Sequence, residues 1–268
     1  MRRWSFMLYG AFAHLMFLAI YVWLACFVGG FLVSKTIDSH PADPVVAVTI
    51  DLLLIGLFAV QHSVMARPWF KEIWTKIIPQ PIERSTYVMI SNILTIVLIL
   101  GWRGIDVVVW DVTNPVGRWL LWGLFAAGWI AVPAVTLLIN HFDLFGTRQV
   151  WLNFRAKAYT SLPFRTPLAY RFVRHPLYVG WTLAFCATPT MTAAHALFAG
   201  ALVLYMVIAT IFEERDLVAH FGDEYRDYQR RTPRFVPRLC NPESAPENAS
   251  IAAPPLAAAF SESTLTKV

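Results

Sequence analysis

"RHPLYVGWTLAFCATPTMTAAHALFAGALVLYMVIATIFEER", residues 174–215, decides the fold. It holds two apolar runs, 177–187 and 191–212, separated by Thr188-Pro189-Thr190. Arg174-His175 brackets one end and Glu213-Glu214-Arg215 the other. An apolar stretch of ~20 residues crosses ~30 Å of hydrocarbon, so the longer run spans a membrane and the shorter is its return arm. A turn at 188–190 brings the chain back to its starting face, so both charged brackets share that face. Pro176 suits the first helical position, where a missing N–H costs nothing, and it biases His175 toward extended backbone. The helix starting there offers free N–H groups and a partial positive charge, and Arg174 adds a full one. That is a site for a carboxylate or phosphate; a snorkelling boundary arginine is the alternative.

Outward from the hairpin, further apolar runs fall at 6–33, 45–66, 86–101 and 117–139. The chain is 57% apolar and 15% charged, where soluble domains carry about 25% charged residues. Its mean hydropathy is +0.53. We therefore expect an all-α, polytopic membrane helical bundle of about five spans, the last a helical hairpin, followed by a C-terminal cytoplasmic amphipathic helix. Residues 1–240 form one integral-membrane domain. Residues 241–268, rich in Ala, Pro, Ser and Glu, read as a disordered tail.

Basic residues set the orientation. Of the 22 Lys and Arg, only Lys35, Arg103 and Arg118 fall in the segments on one side of the spans. The positive-inside rule then puts both termini in the cytoplasm. The N-terminal apolar run is too long for a signal peptide and lacks a cleavage motif. A nucleic-acid partner is not expected, because the basic residues flank membrane spans. Segment 67–85 interleaves aromatic and basic residues, as a helix lying at the interface does. Trp102 and Trp110 read as interface anchors and Pro133 as a kink. Cys26, Cys186 and Cys240 have no C-x-x-C spacing and read as packing residues.

The stretch "FEERDLVAHFGDEYRDYQRRTPRFVPR", 212–238, carries the second cluster. Helical spacing places Glu214, Leu217, Phe221, Tyr225 and Tyr228 on one stripe, with Gly222 a break point. Acids at the end of a span are costly and are usually paired. With Arg174 and His175 on the same face, an anion site and a carboxylate pair share one pocket, and Tyr178 lies nearby. That mixture suits a zwitterionic, purine-bearing ligand.

The pattern Arg174-His175-Pro176-x-Tyr178-x-Gly180, then a hairpin, then Glu213-Glu214-x-x-Leu217-x-x-x-Phe221-Gly222-x-x-Tyr225-x-x-Tyr228, resembles the isoprenylcysteine carboxyl methyltransferase and phospholipid methyltransferase group. "QHSVMARPWFK" (61–71), "PIERSTY" (81–87) and "NHFDLFGTRQVWL" (140–152) resemble the branch of that group containing bacterial methanethiol S-methyltransferases and relatives associated with nitrite and nitric-oxide reduction. The resemblance implies a bacterial inner-membrane enzyme with S-adenosylmethionine as cofactor, methanethiol as the small thiol substrate, the lipid bilayer as surroundings and no obligate protein partner. It makes Arg174, His175, Tyr178 and Glu214 cofactor-site candidates, with Glu213, Tyr225 and Tyr228 behind them.

Methyl transfer from a sulfonium needs an in-line donor and acceptor and a base for the thiol proton. His62, His141 or Glu214 would serve as base, with Gln61, Tyr87 and Asp143 orienting the substrate. Three rivals remain. A metal enzyme lacks a ligand motif such as H-E-x-x-H, and no metal is expected. A non-enzymatic partner of nitrogen-oxide respiration would bind no S-adenosylmethionine. A phospholipid or prenyl-cysteine methyltransferase would need a wide lipid-facing groove. No G-x-G-x-x-G marks a soluble-type nucleotide fold.

Overall fold

The computed structural model describes residues 1–160 and 166–237; the expected tail at 241–268 lies outside them. Among the described residues five helices are long and apolar enough to cross a membrane. They are α1 (Arg2–Gly29), α2 (Pro44–Ala66), α4 (Glu83–Gly101, extended by a 3-10 turn from Gln80), α5 (Pro115–Ile139) and α9 (Ala193–Phe221). Shorter helices are α3 (Pro68–Trp74), α6 (His141–Leu144), α7 (Thr147–Phe154), α8 (Pro176–Cys186) and α10 (Asp223–Arg231). Two short strands, β1 (Val108–Asp111) and β2 (Thr190–Thr192), pair antiparallel. The architecture is an all-α membrane bundle.

Local chemistry sets the helix starts. Asp43 accepts from the N–H groups of Val45 and Val46, and Pro44 opens α2. Asn114 accepts from Gly117 N–H, and Pro115 opens α5. Both join an Asx cap to a proline whose missing N–H costs nothing there. Thr192 caps α9 through His195 N–H. Gly30 ends α1 at φ 71°, a conformation cheap only for glycine.

The spans pack in a curved row: α1 on α4, α4 on α2, α2 on α9, α9 on α8 and α8 on α5. α1 and α5 then face each other across a seam. There the Tyr21 hydroxyl donates to the Trp129 carbonyl at 2.5 Å, and Phe31 meets Trp122 and Phe125 edge-on. The tightest joint is α5–α8. A Cβ on Gly128 would lie 2.4 Å from the Ala184 nitrogen, so the two backbones touch.

Helix α8 has 11 residues, about 16 Å at 1.5 Å per residue, half of the hydrocarbon thickness. The return from Ala187 to Thr192 is not helical, and bare backbone is tolerated at membrane depth only when protein satisfies it. His195 Nε2 reaches the Phe185 carbonyl at 2.8 Å, Trp110 Nε1 donates to Thr188 O, and Val112 N–H donates to Pro189 O. The β1–β2 pair completes the set. Trp102 is not an interface anchor. It is fully buried against Phe198, because the buried Asp51 carboxylate holds the next residue's N–H, that of Arg103, at 2.9 Å. Trp110, half exposed, keeps a position at the edge.

Two stability predictions follow from packing and burial. Gly128→Ala forces α5 and α8 apart at a cost of about 1–3 kcal/mol and should lower the thermal midpoint in detergent. Gly123→Ala, with nothing within 4 Å of its Cβ, should leave it unchanged or raise it. Lys71 of α3 is buried, and burial first, then the Arg84 guanidinium, pulls its ammonium down to about 7 from 10.5, with Glu83 and Asp143 opposing. Between those pH values the unfolded chain binds more protons than the folded one, so stability should rise with pH from about 7 toward 10.5. Lys71→Met should flatten that slope in denaturation series at pH 6.5 to 9, values chosen to straddle about 7.

Candidate functional site

The last turns of α9 carry two adjacent acids to the basic face of the bundle. Residues next to each other on a helix point about 100° apart, and the two acids serve different surroundings. Glu214, buried at 4% exposure, is clamped. Its Oε1 accepts from Arg174 Nε at 2.9 Å, His175 Nε2 at 2.9 Å and Arg234 Nε at 3.2 Å. Its Oε2 accepts from Arg234 Nη2 at 2.6 Å and Gln229 Nε2 at 3.1 Å. Arg174 also donates through Nη1 to the carbonyls of Gln229 and Thr232. The backbone N–H groups of Arg174 and His175 donate to Pro233 O and Arg234 O. The segment after α10 is thereby strapped across the start of α8.

This corrects the expectation of Glu214 as a base: five donor nitrogens, three of them from two permanently charged guanidiniums, hold it as an ionised anchor. Arg174 likewise spends its nitrogens on the strap and on Glu214. Gly222 does break the helix, at φ 58° and ψ −129°. The stripe continues across the break, since Leu217 of α9 packs with Tyr225 and Tyr228 of α10. The Tyr228 hydroxyl donates to Tyr170 O at 2.7 Å. Burial, then the Glu214 and Glu213 carboxylates, pushes the Tyr225 hydroxyl well above the ordinary tyrosine range, so it stays a neutral donor.

Glu213 points the other way. Its Oε2 accepts from the Tyr178 hydroxyl at 3.0 Å and lies 3.9 Å from His175 Nδ1. Its Oε1 makes no hydrogen bond among the described residues. The His175 ring stacks on Tyr178, 5.5 Å between centroids. Glu213 and Tyr178 border two spaces at once. One is a compartment of about 20 Å³ with Arg174, His175, Tyr170, Tyr225 and Tyr228. The other is a cavity of about 250 Å³ reaching into the bundle.

The larger cavity brings His62, Tyr87, His141, Tyr178 and Glu213 together between mostly apolar walls. His62 stacks on Phe58 at 5.4 Å. Its Nδ1 meets the Tyr205 hydroxyl at 3.0 Å, which in turn meets Ser63 Oγ at 3.1 Å. Its Nε2 has no hydrogen-bond partner among the described residues. His141 is different, because both its nitrogens are engaged: Nδ1 with Thr136 Oγ1 at 2.8 Å and Nε2 with His14 Nε2 at 3.2 Å. Burial, then His14, lowers its affinity for a proton.

Gln61 and Asp143 do not line the cavity. Gln61 ties α2 internally and to α4, through Met65 Sδ and Ser91 Oγ. Asp143, fully buried, is held by Arg148 at 3.0 Å and the Tyr159 hydroxyl at 3.2 Å. Sequence reasoning missed Tyr205, Ser63, His14 and Trp181. Each is a lone polar or aromatic residue inside an apolar run, without a spacing signal, although Ser63 lies within the 61–71 stretch and Trp181 directly follows Gly180. Among the described residues no group of His, Cys, Asp and Glu is arranged to hold a metal ion.

The chain is 48% identical over 238 residues to the methanethiol S-methyltransferase of Mycobacterium tuberculosis, covering 88% of this chain and 98% of that protein. It is 47% identical over 232 residues to the methanethiol S-methyltransferase of Crocosphaera subtropica, covering 86% and 91%. It is 47% identical over 238 residues to methanethiol S-methyltransferase 2 of Bradyrhizobium diazoefficiens, covering 88% and 92%. No family model and no solved structure matches it.

Glu214→Ala leaves the largely buried Arg174 guanidinium without its counter-charge, a loss of up to about 3–5 kcal/mol, while Arg234, 36% exposed, turns to solvent. We expect little monodisperse protein on size exclusion in detergent. Glu213→Gln, which keeps the Tyr178 hydrogen bond, should elute as the parent does.

Proposed function

The chain belongs to the methanethiol S-methyltransferase family, and on that premise we propose that its cavity joins a methyl group from S-adenosylmethionine to methanethiol, giving dimethyl sulfide. The observation that carries this is one cavity of about 250 Å³ holding a buried carboxylate, tyrosine rings and an imidazole with an unused nitrogen between apolar walls.

S-adenosylmethionine supplies a methyl group on a cationic sulfur. The residues present fit such a group. Glu213 offers an unshared carboxylate oxygen, and the rings of Tyr178 and Tyr205 border the same space. Carboxylates and aromatic faces both attract cations. Glu213, Tyr178 and His175 would hold it, with Tyr170, Tyr225 and Tyr228 lining the adjoining compartment. Arg174 and Glu214 act behind them, by fixing His175 and the strap.

The acceptor must lose a proton before its sulfur attacks. A cysteine thiol has a reference pKa of ~8.5 and imidazole ~6.5, and a simple alkyl thiol lies above cysteine, so transfer to an ordinary imidazole is uphill by more than about 2 units, roughly 3 kcal/mol or more. Arg67, paired with Asp216, and Arg84 border the cavity; their field favours a thiolate and disfavours an imidazolium, so it helps a sulfur seated nearer to them than the His62 ring is. The Tyr205–Ser63 pair fixes the His62 ring with Nε2 available. Apolar walls keep water out and leave the thiolate poorly solvated, hence reactive. His141, with both nitrogens engaged, is a wall rather than a base.

The cavity also bears on the acceptor's size. The cavity of about 250 Å³ must also receive the sulfonium end of the donor, and the space then left between apolar walls favours a small thiol over a prenyl or diacyl substrate. Leu18 lines the cavity and is 41% exposed, and we infer that a lipid-soluble acceptor enters past it. We further infer from the basic residues that the strapped face, α10 and both termini are cytoplasmic in a bacterial inner membrane.

The test is direct: protein purified in detergent, labelled S-adenosylmethionine and methanethiol, with dimethyl sulfide measured by gas chromatography. Labelled dimethyl sulfide supports the proposal, and none above background overturns it. His62→Ala should lower kcat by about 10²–10⁴, the usual worth of a general base, while the dissociation constant for S-adenosylmethionine stays unchanged. Glu213→Gln should raise that constant instead.

A further inference from the structure

We propose that three aromatic rings from three helices form a floor that limits the acceptor to a very short thiol, and that a proline holds this floor in place; the inference rests on the function proposed above. On each helix the cavity-lining residues step away from the basic face. Tyr21 on α1 and Trp181 on α8 are the deepest of their helices. Trp129 of α5 lies behind both. The ring centroids form a closed triangle: Tyr21–Trp129 5.1 Å, Tyr21–Trp181 5.7 Å and Trp129–Trp181 5.5 Å, all edge-to-face. Phe185 backs the two tryptophans at 5.1 and 6.1 Å. Beyond it lies the buried core of the bundle.

Proline chemistry explains why the triangle closes. Pro133 has no N–H, so the carbonyl four residues earlier loses its helical partner. That carbonyl belongs to Trp129, and the Tyr21 hydroxyl takes the vacant place at 2.5 Å. One hydrogen bond thus joins α1 to α5 and fixes Tyr21 against Trp129. The backbone contact of Gly128 with Ala184 brings Trp129 and Trp181 side by side. In a floor so braced, each extra methylene of the acceptor needs space that no side chain can yield. One methylene in an apolar pocket discriminates by about 10–200-fold.

Longer alkanethiols would undergo the same transfer, the S–H proton passing to His62 and the methyl group from the donor's sulfonium to the acceptor's sulfur. Only their fit differs. The readout is kcat/KM for methanethiol, ethanethiol and 1-butanethiol with the purified full-length protein. The unsubstituted protein should lose efficiency steeply with chain length. Large-to-small changes can open about 150 Å³, enough for benzene, so Trp181→Ala should raise the butanethiol-to-methanethiol ratio at least tenfold, the lower worth of one methylene. Tyr21→Phe keeps the ring and deletes the latch. Pro133→Ala gives Trp129 O a helical partner and displaces the same latch. Each should raise the ratio, and the double variant should add nothing further, because both remove one hydrogen bond.

Where Trp181→Ala fails to fold, Trp181→Phe and Tyr21→Phe carry the test. An unchanged ratio in those variants, with the unsubstituted protein active on methanethiol, overturns the floor alone. An unsubstituted protein that methylates no thiol overturns the proposed function and the floor with it.

Discussion

A carboxylate buried where a span ends must be met by charge, and the way Glu214 is met organises this protein. Arg174, His175, Gln229 and Arg234 converge on its two oxygens. Those four residues come from the start of α8, from α10 and from the segment after it. One anion therefore fastens the short arm of the hairpin, its long arm and the strap to one another. Without it, the largely buried Arg174 guanidinium would keep two backbone carbonyls and lose its counter-charge. The neighbouring Glu213 then inherits a fixed frame. Its carboxylate is held by Tyr178 and keeps one oxygen for the cavity. The proposed function requires the second acid to be incompletely satisfied, and the first acid's saturation makes that tolerable.

The bilayer imposes the same accounting on the backbone, and the structure meets it by side-chain donors, two of which lie near the cavity. At the far end of α8 the Phe185 carbonyl would face hydrocarbon unpaired; His195 supplies a nitrogen. In the middle of α5 the proline frees the Trp129 carbonyl; Tyr21 supplies a hydroxyl. Each repair crosses from one helix to another. Breaks in helical hydrogen bonding are thus converted into tertiary joints, and both joints border the region that shapes the cavity.

Much of this was readable from particular residues. Arg174-His175 and Glu213-Glu214 had to meet, because both ends of a hairpin return to one face. The helix start at Pro176 followed from its place before an apolar run. The division of labour between Glu213 and Glu214 was not readable, since it depends on which way each side chain rotates about α9. Gln61 and Asp143 misled for a related reason: proximity in sequence to His62 and His141 says nothing about which face they occupy. Trp102 misled because its burial is dictated by Asp51, some fifty positions away, roughly a whole span and its connection. Tyr205 carried no signal at all; a single tyrosine in an apolar run looks the same whether it faces lipid, core or ligand.

The contrast between His62 and His141 shows why geometry decides chemistry here. Both are histidines near the ends of spans, in the stretches that carry the family resemblance, and both border the cavity. His141 sits in a chain, Thr136 on one nitrogen and His14 on the other. The Thr136 hydroxyl itself donates to Pro133 O at 2.8 Å, so it receives the His141 Nδ1 proton, and His141 Nε2 accepts from His14. A ring wired in this way has no lone pair left for a substrate. His62 is wired on one nitrogen alone. The Tyr205 hydroxyl can present either its proton or its lone pair to Nδ1, by exchanging roles with Ser63. When Nε2 gains a proton, Nδ1 already carries one, and the Tyr205 oxygen can turn to accept it. That freedom lets the ring pass between neutral and charged forms without moving, which the base role proposed for it between mostly apolar walls requires.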